Sequence, residues 1–443
     1  MILAGQSSPL AQSETMRLML GLLVGAIAIG FGGSAGAQIY DTNGVYVQTF
    51  VGSGEPGALD GLGLLTKFNN PSQVVADTSS NLFVWDASNN LIRKITPAGA
   101  VSTFAGGGTA FEGYGTNVSF AYYSVGQMAM DHAGTIWLVA AFGGNSFLLT
   151  IATNSYVAIH NGGAGVTNLS TSTGICFDSA NNLYYGGGNT LYRYRPATGQ
   201  STPFAGNGTS GYRDGNGTVF PEFAFGSSSV LAADQADNIY VWDAGGGSWW
   251  WSSGNYRLRR VDPAQNITTI AGTGTSGNVD GTGTNASFGS VAQMFSDNQG
   301  NIYFAGGTCI RRMNAQSNVV TVAGNFSQNG YADGSGNTAL FNAANSACVV
   351  GGNLFVADPA NQLIRSITFN PTPQLVPAAN LQLNTYAGLR LTGAVGRTYQ
   401  IQTSADLNTW NPRATLLLTT SPYLWIDQTP VHENNYYRAV MLP

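Results

Sequence analysis

A repeated acidic motif is the first place in this sequence where chemistry could occur. The motif Asp-Gly-x-Gly begins at Asp60, Asp214, Asp280 and Asp333, and Glu112 takes the place of the aspartate in a weaker copy. A carboxylate beside backbone carbonyls suits calcium, which is one interpretation. Calcium loops place several oxygen ligands within a few residues, and these loops do not. The favoured interpretation is therefore a turn, in which Asp caps its own backbone and Gly takes a positive φ. We expect no cofactor, with calcium as the alternative.

The histidines do not form a catalytic group. A metal site or a general base needs titratable side chains that converge on one point. His132 is predicted in a tight turn, His160 at a strand end and His432 in the C-terminal tail. No nucleophile motif for Ser/His/Asp catalysis is present. Enzymatic candidates are then confined to loop residues, which are Glu55, Glu112, Arg213 and Glu222. Catalysis stays open, and a non-enzymatic protein is favoured.

Three adjacent tryptophans form the most distinctive binding candidate. Trp249, Trp250 and Trp251 lie in an insertion flanked by glycine and serine. Three neighbouring indoles cannot all be buried in a tight turn. They could present a platform for sugar rings or an apolar wedge for a protein partner. The alternative is a lid folded over apolar side chains of the same face.

A repeat of four short strands positions these residues. In the segment from residue 71 to 105, strands are predicted at Gln73–Asp77, Leu82–Trp85, Leu91–Ile95 and Val101–Ala105, with Asn- and Asp-rich turns between them. Short strands at such regular spacing indicate an all-β repeat protein. The third strands carry an apolar-Arg pair, at Arg93, Arg193, Arg259, Arg311 and Arg365.

The ends of the repeat region complement each other. Val45–Val51 reads as a fourth strand with no repeat before it, and the last repeat, ending at Thr368, has no fourth strand after it. Pairing the two would close a ring of six sheets and remove both open edges. We therefore predict that the N-terminal strand lies beside Leu363–Ile367.

The repeat resembles a known family. The pattern from Pro71 to Ile95, with Asp77, Asn81, Asp86 and Arg93 at its polar positions, is similar to an NHL repeat, and the likeness covers roughly residues 45–370. The resemblance implies an all-β, six-bladed NHL-type β-propeller closed by an N-terminal strand. Related six-bladed propellers include metal-dependent lactonases and lyases, so a channel-mouth enzyme of that kind is the alternative function.

Chain direction in such a fold places the long loops on one face. The loops from fourth to first strands and from second to third strands emerge together, so we expect that long-loop face to bind the ligand. Arg213 belongs to these loops. Gln73, Gln127 and Gln293 occupy aligned positions in first strands and could form a polar ring near the channel mouth. The favoured interpretation of these glutamines is buried polar packing between blades, and a ligand site is the other.

Composition limits the partners. Only 9% of the 443 residues are charged, with 17 basic against 22 acidic, and the only lysines are Lys67 and Lys94. Nucleic-acid binding needs clustered cations, which this sequence lacks, so we expect no nucleic-acid partner. The three cysteines, Cys176, Cys309 and Cys348, lie in apolar strands and make no disulfide framework.

The two ends of the chain read as separate parts. Residues 1–37 contain upstream residues and an apolar segment that resembles a signal peptide cleaved near Ala37, with Met1 or Met16 as the start. The propeller is expected at 38–370, a Pro-rich linker at 371–380, and a small C-terminal β-sandwich at 381–443 that resembles a module of secreted bacterial proteins. The mature chain has no predicted membrane span. We expect a secreted or cell-surface protein that binds an extracellular protein or glycan.

Overall fold

The computed structural model describes residues 40–41, 44–160, 166, 169–219, 221–224, 229–245, 255–369, 388–419, 421–426 and 436–442. The chain divides into two compact units, one of residues 1–41 and 47–366 and one of residues 42–46 and 367–443. The signal-like segment 1–37 and the linker 371–380 lie outside the described residues. Within the described part, no helix has the length and apolar character needed to cross a membrane.

Six antiparallel sheets of four or five strands account for the described part of the chain from Tyr46 to Thr368. We number them in chain order. The first to fourth strands are Pro71–Ala76, Leu82–Asp86, Leu91–Ile95 and Ala100–Gly106 in sheet 1, and Ser124–Met130, Ile136–Phe142, Asn145–Ile151 and Tyr156–His160 in sheet 2. They are Ile175–Phe177, Leu183–Gly187, Thr190–Arg195 and Gln200–Ala205 in sheet 3, and Val230–Ala233, Ile239–Asp243, Arg257–Val261 and Asn266–Ala271 in sheet 4. They are Gln293–Ser296, Ile302–Gly306, Cys309–Met313 and Asn318–Gly324 in sheet 5, and Ser346–Val350, Asn353–Asp358, Leu363–Thr368 and the N-terminal Tyr46–Val51 in sheet 6.

The sheets are joined in a closed cycle through their first strands. Each first strand contacts the first strands of the preceding and following sheets, and that of sheet 6 contacts that of sheet 1. The N-terminal strand Tyr46–Val51 lies beside Leu363–Thr368, as predicted. Gly52 ends this strand at a φ of +107°, and a Cβ there would lie 2.7 Å from the carbonyl oxygen of Gln362. Glycine is required at residue 52 because the backbone there lies so close to the backbone of Gln362, which precedes the third strand of sheet 6.

The Gly-rich loops follow a route that differs from the prediction. Their Asp-Gly segments form two-residue strands on the outer edge of the next sheet, at Gly61–Leu62, Gly113–Tyr114, Gly215–Asn216, Gly281–Thr282 and Gly334–Ser335. Gly61 pairs with Val101, at the start of the fourth strand just after the tight turn. We call the end of the sheets where first strands turn into second strands, and third into fourth, the short-turn end. The middle of each Gly-rich loop therefore reaches the short-turn end of the outer edge, and only the two ends of the loop lie on the long-loop face. Because these segments cover fourth strands, they protect edges that would otherwise be open.

Buried arginines hold four of these loops in place. Arg93, Arg259 and Arg365 have side chains with no exposure, and that of Arg311 is 5% exposed. Each guanidinium pairs with the aspartate of the Asp-Gly motif, in the pairs Arg93–Asp60 at 2.6 Å, Arg259–Asp214 at 2.7 Å, Arg311–Asp280 at 2.8 Å and Arg365–Asp333 at 2.7 Å. We call each such arrangement an arginine clamp.

Further groups complete each clamp. A second carboxylate comes from the end of the second strand in three sheets, namely Asp86, Asp243 and Asp358, which are fully buried. A phenylalanine at the end of each loop lies against the guanidinium, with the arginine Cζ atom 4.7–5.3 Å from the ring centre. The pairs are Arg93–Phe68, Arg259–Phe223, Arg311–Phe288 and Arg365–Phe341. Burial raises the pKa of Asp86 and of Asp243, against the lowering effect of their hydrogen bonds. The guanidinium offers five donors in one plane, which lets it join strand, loop and ring together.

The motif aspartates bond to groups distant in the chain, whereas the favoured interpretation had them capping their own turns. The motif glycines do take a positive φ, as expected, for example at Gly61, Gly281 and Gly334. Asp60 accepts hydrogen bonds from the backbone N–H and the hydroxyl of Thr103 as well as from Arg93. A register shift between Ile92 and Arg93 puts an extra residue in the fourth strand at this point, which takes the Thr103 N–H out of the ladder and leaves it to the carboxylate. Asp214 and Asp280 make the same contacts with Thr269 and Thr321. In sheet 6 the hydroxyl of Thr49, on the N-terminal strand, bonds to Asp333.

One predicted arginine falls outside this pattern. Arg193 pairs across strands with Tyr184, whereas Arg93 pairs with Val84, and it is Lys94 that pairs with Phe83. Arg193 therefore aligns with Lys94, and Tyr192 occupies the clamp position in sheet 3. Its grouping with the clamp arginines, based on the apolar-Arg pair alone, was wrong by one residue.

The second unit contains two small antiparallel sheets in its described part. Gly388–Leu391 pairs with Tyr423–Ile426, and Thr398–Ser404 pairs with both Asn411–Leu417 and Tyr436–Met441. A core of Leu391, Tyr399, Ile401, Leu418 and Tyr437 forms within this unit. The alternation predicted around Tyr399 corresponds to the strand Thr398–Ser404.

The clamp predicts a large stability effect at a single position. Arg259→Ala leaves the buried carboxylate of Asp243 without its counter-charge, so we expect the free energy of unfolding to fall by about 3–5 kcal/mol. Arg213→Ala removes the same charge from an exposed side chain of the adjoining loop, and we expect a change within about 0.5 kcal/mol. Denaturant unfolding of both variants measures the difference, and equal losses would show that burial of the guanidinium is unimportant.

Candidate functional site

The three predicted glutamines lie on first strands and contact neighbouring strands. Gln293 is 8% exposed, and its amide oxygen accepts from the Ala347 N–H of sheet 6 at 2.7 Å. Gln127 donates to the carbonyl of Ala292 at 3.0 Å, which joins sheet 2 to sheet 5, two sheets that are not neighbours in the cycle. Gln73 is 6% exposed, and its amide oxygen has no hydrogen-bond partner among the described residues. Gln293 is therefore buried between first strands, Gln127 is half-buried with its bond directed across the cycle, and Gln73 keeps an unused acceptor.

The remaining predicted ligand residues are Trp249–Trp251 and Arg213. The tryptophans lie outside the described residues. Arg213 has an exposed side chain, and its backbone carbonyl accepts from the clamp residue Arg259 at 3.0 Å. Arg213 thus presents an exposed side chain at the loop that precedes sheet 4.

An exposed group of aromatic side chains was missed by the sequence reasoning. Phe111, Tyr122 and Phe142 are 47%, 45% and 50% exposed. The rings of Phe111 and Tyr122 stack at 4.8 Å between centroids and 29° between planes, and Phe142 lies 5.9 Å from Phe111 at 62°. Buried Tyr123 supports them, with its hydroxyl donating to the carbonyl of Phe111 at 3.2 Å. We call Phe111, Tyr122, Tyr123 and Phe142 the aromatic patch.

The patch lies where the long-loop face was expected to bind. Phe142 ends the second strand of sheet 2, next to the Gly143-Gly144 hairpin that leads to the third strand. Phe111 and Tyr122 belong to the loop from the fourth strand of sheet 1 to the first strand of sheet 2. A signal was present in the sequence, because this copy of the Gly-rich loop has Glu112 where the others have aspartate, and it has an aromatic residue, Phe111, where the others have Leu59, Arg213, Val279 and Ala332. Half-exposed aromatic rings that already stack are preorganised to contact a flat apolar surface.

The acidic side chains near the patch and in the loops mostly have structural partners. Glu112 accepts from the Ile159 N–H at 2.7 Å, so it bonds to a fourth strand much as the clamp aspartates do. The aspartates that end the first strands, such as Asp178 and Asp234, accept from two backbone N–H groups of their own turns. That turn capping was predicted for Asp77 and is confirmed there.

The histidines and cysteines are likewise engaged or inert in the described region. His132 contacts the Asn181 side chain at 3.2 Å, and His160 stacks on Trp137 at 5.1 Å, where burial lowers its pKa. Burial raises the pKa of Cys176 and raises that of Cys348 to about 12, so these thiols are not poised as nucleophiles. His432 lies outside the described residues. Among the residues that are described, no group of three His, Cys, Asp or Glu side chains could hold a metal ion.

Comparison with known proteins identifies the fold. No protein-family model matches the chain, and no curated protein matches it. A structural genomics protein of unknown function from Bacteroides thetaiotaomicron VPI-5482 aligns with a TM-score of 0.55 and 18% identity, over 73% of this chain and 76% of its own. An auxiliary nutrient binding protein from Bacteroides ovatus ATCC 8483 aligns with a TM-score of 0.54 and 17% identity, over 74% and 77%. An auxiliary nutrient binding protein from Bacteroides thetaiotaomicron VPI-5482 gives 0.53 and 17%, over 73% and 76%. The fold is a β-propeller.

The clamp geometry predicts the response to calcium. Each motif aspartate already accepts from a guanidinium, and Asp60, Asp214 and Asp280 also accept from a threonine, so we expect no calcium site at these loops. Adding calcium or EDTA to the purified protein should then move its melting temperature by less than about 1 °C, because only a ligand that binds the folded state stabilises it. A saturating rise with calcium would restore the calcium interpretation of the Asp-Gly-x-Gly loops.

Proposed function

We propose that the protein is a secreted, non-enzymatic binding scaffold that engages a carbohydrate or protein ligand through the long-loop face of a six-bladed NHL-type propeller. In this proposal the propeller occupies residues 38–370 and a small β-sandwich occupies 381–443, after removal of a signal peptide near Ala37. Six sheets in a cycle and four arginine clamps at matched register support the NHL assignment.

The exposed aromatic patch is the observation that carries the proposal. Phe111 and Tyr122 offer a stacked, half-exposed surface on the expected face. Large apolar side chains left exposed together usually mark a binding surface. The surrounding surface has few charges, since only 9% of residues are charged, so recognition there depends on ring contacts and neutral polar groups.

A carbohydrate is the ligand class that the patch favours. A sugar ring has a flat apolar face and a polar rim. The ring of Tyr122 can cover the face, while its hydroxyl and the exposed carboxylate of Glu112 can bond to the rim. The neighbours that are auxiliary nutrient binding proteins support a binding role for this fold, and Trp249–Trp251 would add a second aromatic surface.

Substitution of the patch tests the proposal. We expect Phe111→Ala combined with Tyr122→Ala to weaken binding to glycans retained by the wild-type chain by about tenfold or more, because buried aromatic contacts dominate such interfaces. Trp249, Trp250 and Trp251 changed together to Ala should weaken it as well. Glycan and protein arrays probed with the full chain give the ligand, and calorimetry gives the affinities.

An exposed aromatic pair elsewhere provides the matched control. Tyr114 is 59% exposed and packs on Tyr156, which begins the fourth strand of sheet 2, at the opposite end of the sheet from Phe142. Tyr114→Ala should leave the affinity unchanged. If the patch variant binds as tightly as the wild type while Tyr114→Ala does not, the ligand face has been misplaced.

A further inference from the structure

The same polar corner recurs at the short-turn end of three sheets. In sheets 3, 4 and 5 a tyrosine of the second strand donates its hydroxyl to the aspartate that ends the first strand, in the pairs Tyr184–Asp178 at 3.1 Å, Tyr240–Asp234 at 3.0 Å and Tyr303–Asp297 at 3.1 Å. An arginine faces each tyrosine across the strands, and these are Arg193, Arg260 and Arg312. Each corner thus combines a phenol, a carboxylate and a cation.

Sheet 1 keeps the charges of this corner but loses the phenol. Phe83 occupies the tyrosine position and Lys94 the arginine position. The Oδ2 atom of Asp77 accepts from the Asn81 amide at 2.8 Å, and none of the described residues supplies the second donor that the tyrosines give in sheets 3–5. Among the described residues, no carboxylate lies within 4.0 Å of the Lys94 ammonium, which is placed 5.7 Å from the centre of the Phe83 ring.

A cleft opens where these groups are missing. It has a volume of about 320 Å³ and lies between sheets 1 and 2. Asp77, Lys94 and the side chains of Thr78, Ser79 and Thr153 line it, with Phe83, Phe104 and Ile136 as its apolar wall. This size is at the lower end for small-molecule sites. Most of the lining residues are polar, and His132 is one of them, so a ligand that fits this cleft is itself polar.

Sheet 5 shows how the cation of this corner meets a carboxylate. Arg312, which aligns with Lys94, pairs with Asp41 at 2.9 Å, and the Asp41 side chain is 2% exposed. Asp41 comes from the segment that precedes the N-terminal strand, and not from sheet 5 itself. The corner therefore accepts a carboxylate that a separate segment brings to it.

We propose that the cleft between sheets 1 and 2 binds a small hydroxy carboxylic acid, with Lys94 as the cation for its carboxylate and Asp77 Oδ2 as the acceptor for its hydroxyl. The carboxylate takes the place that Asp41 has beside Arg312, and the hydroxyl takes the place of the missing phenol. Phe83, Phe104 and Ile136 cover the apolar face of the ligand. A sugar acid and a phenolic acid both have this chemistry.

This site is separate from the proposed carbohydrate surface. The cleft is lined by the tight turns that join first to second strands, whereas the aromatic patch lies at the other end of the sheets. Variants of the patch should leave binding in the cleft unchanged. Failure of one proposal therefore does not imply failure of the other.

Titration of the full chain with three defined compounds tests the cleft. D-galacturonate and 4-hydroxybenzoate represent the two sources of a hydroxy acid, and D-galactose is the neutral control. We expect saturable binding of at least one acid by calorimetry or by NMR, and no comparable binding of galactose. The acid that binds identifies which source fits the cleft.

Two substitutions of opposite kind locate the binding. Lys94→Met removes the ammonium and should weaken the acid by about tenfold or more, as loss of a charge-assisted hydrogen bond does. Phe83→Tyr restores the residue of sheets 3–5, so it should fold normally while its phenol occupies Asp77 Oδ2 and lowers the affinity. Lys67→Met removes the other lysine of the chain and should have no effect.

Three results would overturn the inference. One is the absence of saturable binding for both acids up to about 10 mM. Another is binding that Lys94→Met and Phe83→Tyr leave as in the wild type, since the ligand would then lie elsewhere. The third is galactose binding as tightly as the acids, because the ammonium would then contribute nothing.

Discussion

The buried guanidinium is the interaction on which the architecture depends. An arginine without exposure must have both charge and donors satisfied, because an unpaired buried ion costs several kcal/mol. In Arg93 the charge and the two terminal nitrogens are satisfied by Asp60, Asp86 and the carbonyl of Lys67, with the Phe68 ring against the guanidinium. The Nε atom of Arg93 has no hydrogen-bond partner among the described residues. The second strand, the third strand and the Gly-rich loop are thereby connected through one guanidinium. A Gly-rich loop that has little apolar surface of its own gains a defined path in this way.

That path also explains how a protein of short strands avoids exposed edges. The clamp aspartate sits directly before the two-residue strand that pairs with the fourth strand, so fixing the carboxylate fixes the edge cover. In sheet 6 the contact between the motif aspartate and a fourth-strand threonine joins distant segments, because Thr49 of the N-terminal strand bonds to Asp333. The first strands add a second set of ties, such as the Ser346 hydroxyl accepting from the Val74 N–H at 2.9 Å. Polar contacts in the interior therefore hold both the outer edges of the sheets and the first strands at the centre of the cycle.

Candidate binding surfaces occur where the repeat departs from this plan. In sheet 2 Leu149 replaces the clamp arginine and Glu112 replaces the motif aspartate, and the loop there carries the aromatic patch. In sheet 1 the clamp is intact but the corner has Phe83 and Lys94 instead of tyrosine and arginine, and a cleft results. Because the other sheets keep the repeated contacts, a single sheet can carry different residues at these positions while the fold is maintained.

Local pattern was enough to determine the strands and the capped turns, because both depend on short-range periodicity and turn chemistry. The pairing of the N-terminal strand with the last sheet followed from the repeat count, because one fourth strand was left over at the start of the repeats and one was missing at their end. The Asp77 turn and the N-terminal strand were predicted in this way. The roles of Asp60, Arg193 and Phe111 were decided only by tertiary structure. Asp60 bonds to Arg93, 33 residues away, and Phe111 in a loop contacts Phe142 at the end of a strand. Contacts between distant segments leave no periodic trace in a single sequence, so register and burial in three dimensions had to reveal them.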